Sequence, residues 1–160
     1  MIARPAVVTF GLLAAMSSVV CSKPVDLKQT VQVVDASSGW FDAGIQEGKN
    51  KLVPSVTFRL KQDPAADLSS LSLNLVFTAE GDTEHFDDVF VQRVAFNGNQ
   101  TDPLTVRSKF GYTGDPPQSR AEMLKNSHFR DMNVQIFAKQ SSSQWVELHR
   151  LKLPRTLLTR

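Results

Sequence analysis

Residues 71–77, Leu-Ser-Leu-Asn-Leu-Val-Phe, carry the clearest structural signal in the chain. Apolar side chains stand at every second position from Leu71 to Phe77, with Ser72 and Asn74 between them. This period of two is typical of a strand with one buried face. Similar short apolar segments recur along the chain, and they are found around residue 31 and at 56–61, 89–96, 104–110, 132–138 and 144–152.

Seven such segments with almost no helical periodicity predict an all-β fold, a seven-stranded antiparallel immunoglobulin-like β-sandwich. The term describes the architecture, since a chain with one cysteine lacks the paired cysteines of antibody domains. Residues 117–126 predict one short helix, with Pro117 suited to a first turn. A length of 160 residues with 41% hydrophobic residues fits one globular domain with its own core.

The N-terminal segment differs in composition from the rest of the chain. Residues 6–20 run for fifteen positions without an ionisable side chain, which is typical of a secretory signal peptide. The run is short for a permanent membrane helix, which needs roughly 17 to 25 apolar residues. We therefore expect a signal peptide at 1–20, a tether at 21–29 and the β-sandwich domain at 30–160.

Cys21, the only cysteine, stands directly after this apolar run. Bacterial lipoproteins are cut before such a cysteine, and acyl chains are then attached to it. The position predicts lipid attachment at Cys21, with the lipid anchoring the protein to a membrane of the cell envelope, as a periplasmic or outer-membrane lipoprotein. The alternative is an ordinary cut after Ser17, preceded by the small residue Ala15, which would give a secreted protein.

The charges argue against a nucleic-acid partner. The chain has 18 basic and 16 acidic side chains, and the two kinds are interleaved along its length. Nucleic-acid-binding proteins usually cluster their basic residues on one face.

Four segments carry a resemblance to a known group of proteins: 21–28, 39–44, 48–55 and 110–114. They resemble segments of uncharacterised bacterial lipoproteins with an immunoglobulin-like sandwich. The resemblance covers most of the chain after residue 20. It implies export and the fold class, and it implies no activity and no catalytic residues.

Trp40, Phe41 and Tyr112 are the candidate partner-binding residues. Trp40 and Phe41 lie between Gly39 and Gly44, and Tyr112 lies in a second glycine-flanked aromatic turn. Exposed aromatic side chains often anchor protein interfaces, so these three are expected to bind an unknown protein partner in the envelope. The alternative is that Trp40 and Phe41 close one end of the sandwich, because large aromatic residues are usually buried.

Residues 80–88 hold five carboxylates and His85, and oxygen ligands of this kind suit a hard cation such as calcium. This stretch supports an alternative function, a metal-dependent envelope hydrolase. Its spacing matches no defined calcium loop, and a solvated acidic link between strands is the interpretation we favour. No zinc-type histidine spacing and no nucleophile turn are present in the sequence, so we expect neither cofactor nor catalysis.

Residues 44–50 are reminiscent of a phosphate-binding loop, yet they are one residue short and end in Asn50 where a hydroxyl is required. We expect a simple turn there. The sequence as a whole predicts an exported, lipid-anchored binding or scaffolding module of the cell envelope, with no assigned reaction.

Overall fold

The structure is a computed structural model that describes residues 25–158, and these residues form nine β-strands and two short α-helices. The helices are α1 (Leu27–Thr30) and α2 (Arg120–Lys125). The strands are β1 (Val31–Gln46), β2 (Lys49–Gln62), β3 (Ser70–Ala79), β4 (Asp87–Ala95), β5 (Leu104–Arg107), β6 (Tyr112–Gly114), β7 (Met132–Lys139), β8 (Val146–Leu153) and β9 (Leu157–Leu158).

The strands form two sheets, which confirms the predicted all-β sandwich. One sheet has the order β5-β2-β1-β9, with β6 also paired to β2, and the other has the order β4-β3-β7-β8. Neighbouring strands are antiparallel except β1 and β9, which are parallel. The prediction of seven strands is wrong, because β6 and β9 have three and two residues and are too short to show a period.

The core lies between the sheets and follows the alternation that the sequence shows. Leu73, Leu75 and Phe77 of β3 point inward and are fully buried. In β7, Val134 and Ile136 are also fully buried, while the residues between them are partly exposed. The apolar faces of the two sheets stabilise each other by removing this surface from water.

The hairpin between β1 and β2 turns at Glu47 and Gly48. Their φ angles are 51° and 76°, and positive φ at both central residues defines a type I′ turn, which matches the twist of antiparallel strands. Gln46 and Lys49 pair on either side of it. The expectation of a simple turn within residues 44–50 is confirmed.

Helix α2 begins after Ser119, within the segment 117–126 predicted to be helical. The Ser119 hydroxyl accepts a hydrogen bond from the Glu122 backbone N–H, and the Ser119 N–H donates to the Glu122 carboxylate. This reciprocal capping stabilises the first turn. The backbone hydrogen bond from Ser119 also lowers the pKa of Glu122.

Helix α1 lies at the end of the segment predicted to be a tether. Asp26 caps it, and Leu27 is buried in the core cluster. The folded domain therefore begins before residue 30. The predicted signal peptide and Cys21 lie outside the described residues.

Candidate functional site

The three candidate binding residues occupy different environments. Trp40 has 0% of its surface exposed, whereas Phe41 and Tyr112 are partly exposed. Successive side chains of a strand point to opposite faces, so within β1 Trp40 points into the core and Phe41 points away from it. The guanidinium carbon of Arg107 lies 3.6 Å from the centre of the Phe41 ring. The expectation that Trp40 contacts a partner is therefore corrected: it lies in the core, and its ring presents no surface.

Trp40 is the inner end of a series of aromatic rings, which we call the aromatic ladder: Trp40, Phe129, Tyr112, Phe86 and Phe110. The ring centres of Trp40 and Phe129, and those of Phe129 and Tyr112, are 4.4 Å apart. Phe86 lies 6.3 Å from both Tyr112 and Phe110. Phe110, at the outer end, is 58% exposed. The ladder thus connects the core to an exposed aromatic side chain.

Hydrogen bonds among Asp87, Ser108 and Lys109 hold the backbone at the outer end of the aromatic ladder in place. Asp87 is a buried carboxylate that accepts hydrogen bonds from the Ser108 hydroxyl at 2.8 Å and from the Lys109 backbone N–H at 2.7 Å. The Phe110 N–H then donates to the Ser108 hydroxyl oxygen at 3.1 Å. Since β4 supplies Asp87 and the segment after β5 supplies Ser108, these bonds fix the Phe110 backbone against the other sheet.

Gly111 brings the same segment close to β2. A Cβ atom at this position would meet the carbonyl oxygen of Leu52 and the side chain of Val53. Only glycine allows the backbone to approach so closely. The backbone next to Phe110 is therefore held against β2.

An open cavity of about 570 Å³ lies between the outer end of the ladder and the β1–β2 hairpin. Its lining includes Phe86, Phe110, Lys49 and Lys51, which we call the hairpin-end surface, and also Glu47. The Lys49 ammonium lies 3.6 Å from the Asp115 carboxylate in an exposed ion pair, so a partner's carboxylate would compete with Asp115 for it. The Lys51 ammonium donates to Gln46 Oε1 at 3.0 Å, so it is held beside the cavity.

The hairpin adds a further exposed apolar side chain, since Ile45 is 65% exposed next to the turn. Exposed aromatic and aliphatic groups next to ammonium groups are a combination that suits an apolar side chain flanked by carboxylates. This is the chemistry that the hairpin-end surface offers to a ligand.

The acidic stretch 80–88 does not converge on one point. The Asp82 carboxylate accepts two hydrogen bonds from the Arg130 guanidinium at 2.7 and 2.9 Å, and Glu80 lies 2.9 Å from the Lys152 ammonium. Asp88 contacts His85, and Asp87 is directed at Ser108. Among residues 25–158, no three His, Cys, Asp or Glu side chains come together as a group that could hold a metal ion. Residues 80–88 therefore do not form, in the described structure, the metal site that the alternative function of a metal-dependent hydrolase requires.

These ion pairs stabilise the loops beneath the ladder. The hydrogen bonds that the Arg130 guanidinium donates to Asp82 hold the pKa of Arg130 above its ordinary value, and the Arg130 backbone N–H donates to the Tyr112 hydroxyl. The hydrogen bond from Arg155 holds the pKa of Asp131 below its ordinary value, against the opposing effect of burial. The loops that carry Phe129 and Tyr112 are thus tied to their neighbours.

Sequence reasoning missed Phe86 and Phe129. Both lie in connections between strands, where no period marks a buried position. Phe110 was within the aromatic turn noted in the sequence, but its exposure depends on contacts between distant segments.

Comparison of the chain with protein-family models, curated proteins and solved structures finds no match. Within residues 25–158, neither helix has the length and apolar character needed to cross a membrane. Lipid attachment at Cys21 and the resemblance to immunoglobulin-like bacterial lipoproteins stay predictions.

Proposed function

We propose that the protein is an exported, lipid-anchored binding module of the cell envelope that binds a protein partner through its hairpin-end surface. It acts by binding or scaffolding and not by catalysis. The observation that supports this most directly is Phe110, a large aromatic side chain that is 58% exposed and whose backbone N–H is held by the Ser108 hydroxyl, itself bonded to the buried Asp87. An exposed aromatic residue on a fixed backbone loses less conformational entropy when it is covered, which is typical of interface anchors.

The position of this surface in the fold supports the proposal. The chain enters the domain through α1 and β1, and β1 begins at Val31. The hairpin-end surface lies at the other end of β1, beyond Gln46. A strand of 16 residues spans about 50 Å when extended. A lipid on Cys21 would therefore hold the hairpin-end surface away from the membrane that carries the anchor.

The partner's chemistry follows from the surface. An apolar side chain of the partner would contact Phe110 and Phe86, and carboxylates beside it would face Lys49 and Lys51. Lysine side chains at the rim contribute more to association rate than to affinity, so binding should weaken modestly with salt.

A crosslinking experiment tests this function. A photoreactive phenylalanine analogue is placed at position 110 of the full chain in the cells that produce it, and the matched control carries the analogue at position 90. Phe90 is 55% exposed, close to the value for Phe110, but lies on the other sheet. We expect a discrete crosslinked product from position 110 only, and Lys49→Glu combined with Lys51→Glu should reduce it.

Two outcomes would reject the proposed surface: no product from position 110, or the same product from both positions. Mass spectrometry of the mature N-terminus tests the anchor separately. We expect the added mass of acyl chains on Cys21. An N-terminus directly after Ser17 would instead show that the protein is secreted without a lipid anchor.

A further inference from the structure

The outer face of the sheet β4-β3-β7-β8 carries a second group of aromatic residues, unrelated to the aromatic ladder. Asn74 of β3 pairs with Phe90 of β4 on one side and with Phe137 of β7 on the other. Leu73 and Leu75 point into the core, so Asn74 and its paired neighbours point outward. The register therefore places two phenylalanines and an amide in one row across this face.

Trp145 completes the group from the far side of the sheet. It precedes β8, and two strands, β3 and β7, separate β8 from the strand of Phe90. The rings of Phe90 and Trp145 nevertheless meet edge to face, with centres 6.0 Å apart. Both rings lean over the face, and both are exposed, at 55% and 39%.

A groove of about 330 Å³ opens beside the Trp145 ring, whose other neighbour is the Phe90 ring. Its lining residues are Asn74, Val76, His85, Asp88, Gln135, Phe137 and Trp145. The volume is at the lower end of the roughly 300–1,000 Å³ usual for ligand sites. The groove thus has room for one or two rings of a small molecule or a chain.

The charged groups around the groove favour an uncharged ligand. No lysine or arginine lines it, and the nearby Arg150 guanidinium is held by Glu147 at 3.1 Å. A phosphate or carboxylate would meet the Asp88 carboxylate, and the His85 imidazole beside it is already paired with Asp88 at 3.1 Å. The Lys139 ammonium already lies 4.8 Å from the centre of the Trp145 ring, so a cationic ligand would be repelled at the aromatic edge. The groove is complementary to an uncharged ligand.

The polar groups of the groove are ready to bind hydroxyls. The Asn74 amide has no hydrogen-bond partner among residues 25–158. Gln135 donates through Nε2 to Glu147 at 2.9 Å, which leaves its oxygen as an acceptor. The Asp88 carboxylate contacts His85 through one oxygen, and its other oxygen can accept a further bond. Amide and carboxylate groups beside aromatic rings match a ligand that has both apolar C–H faces and adjacent hydroxyls.

We propose that this groove binds a neutral oligosaccharide, with one or two sugar rings packed against Trp145, Phe90 and Phe137 and their hydroxyls bonded to Asn74, Gln135 and Asp88. The inference is independent of the hairpin-end surface, because Asp87 points inward toward Ser108 while Asp88 points outward to the groove. Loss of either function leaves the other intact.

Titration with defined oligosaccharides tests this. The purified full chain is titrated with cellohexaose, maltohexaose and chitohexaose, and hexagalacturonate serves as the anionic control. Trp145 is exposed and Trp40 is buried, so binding in the groove should change the emission of Trp145 while that of Trp40 stays constant. We expect at least one neutral hexasaccharide to bind with a Kd between about 10 μM and 1 mM.

Variants locate the binding. Trp145→Ala, Phe90→Ser and Asn74→Ala should each weaken binding about tenfold or more, as measured by calorimetry, since stacking and hydrogen bonds of this kind are worth about that factor. The control is Phe110→Ser, because Phe110 is about as exposed as Phe90 but lies outside the groove. This variant should bind the oligosaccharide with wild-type affinity. Unchanged melting temperatures would show that the variants are folded.

Several results would overturn the proposal. The proposal fails if no neutral hexasaccharide binds at about 10 mM. It also fails if hexagalacturonate binds as tightly as the neutral hexasaccharides, or if all three groove variants keep the wild-type affinity. Sedimentation that shows a dimer dissociated by Phe90→Ser would also overturn it, because the face would then be an interface between two copies of the chain.

Discussion

Asp87 and Ser108 join the two sheets through a hydrogen bond of 2.8 Å between the Ser108 hydroxyl and the Asp87 carboxylate. Asp87 begins β4 in one sheet, and Ser108 follows β5 in the other. Asp87 is only 8% exposed, so the bond lies in a largely dry environment. The same carboxylate accepts from the Lys109 N–H, which makes Asp87 the acceptor for two donors of the segment that leads to Phe110.

Asp87→Ala should reduce the free energy of unfolding by about 1–3 kcal/mol, because the buried Ser108 hydroxyl and the partly buried Lys109 N–H lose their acceptor. Asp87→Asn keeps one acceptor oxygen and should cost less. Urea denaturation measures both. The matched control is Asp88→Ala, which is exposed and points outward, and it should change stability by less than about 0.5 kcal/mol. Equal effects of Asp87→Ala and Asp88→Ala would contradict the structural role of Asp87.

Gly111→Ala should destabilise the protein by about 1–3 kcal/mol, because the added methyl group meets the Leu52 carbonyl and forces the backbone to move. The displacement should also reduce the crosslinking yield from position 110. Ser142→Ala, an exposed substitution in the β7–β8 connection, is the control and should change neither quantity. If Gly111→Ala is as stable as the wild type, the backbone at Gly111 does not approach Leu52 as closely as the structure shows.

Two substitutions of Trp40 separate the contribution of its volume from that of its N–H. Trp40→Ala should cost about 3–5 kcal/mol because it leaves a cavity in the core. The indole N–H has no hydrogen-bond partner among the described residues, so Trp40→Phe removes no hydrogen bond and should cost clearly less. Chemical denaturation of both variants checks this. Equal losses would show that the N–H makes an interaction worth as much as the lost volume, such as a contact with an aromatic face.

Asp131 should make the protein sensitive to acid. The hydrogen bond from Arg155, at 2.6 Å, lowers its pKa in the folded state below the ordinary value. A lowered folded pKa contributes stability that is complete above the unfolded pKa and is lost as the pH falls through the folded pKa. The melting temperature of the wild type should therefore fall more steeply than that of Asp131→Asn between about pH 5 and pH 2.

The control for this experiment is Asp102→Asn, since Asp102 is exposed and forms no ion pair among residues 25–158. It should follow the wild-type curve. If Asp131→Asn follows that curve as well, the ion pair with Arg155 makes no contribution to stability, as is found for many exposed pairs.

The sandwich could be predicted because its principal strands carry the alternation of a half-buried sheet. In β3 and β7 the inward and outward residues separate cleanly, from Leu71 to Phe77 and from Met132 to Ala138. The alternation depends only on neighbouring residues, so it can be read without knowledge of the partner strands.

The binding surfaces could not be predicted in the same way, because they depend on contacts between distant residues. Trp40 lies beyond a bulge in β1, and only the paired structure shows that its side chain points inward. Phe90 and Trp145 are 55 positions apart in the sequence, and their meeting requires the order of four strands. The order of strands in a sheet cannot be read from a pattern of neighbouring residues in the sequence.

The exposed edge of β1 has a consequence for how copies of the protein behave at high concentration. Within the described range 25–158, the parallel strand β9 pairs with this edge only at Trp40 and Phe41. Between Val34 and Ser37 the edge is interrupted by a bulge, where Asp35 has a φ of 52°. An incoming strand would find neither a straight row of donors and acceptors nor an uncharged surface there. The bend and the charge of Asp35 therefore disfavour pairing of this edge with the edge of another copy.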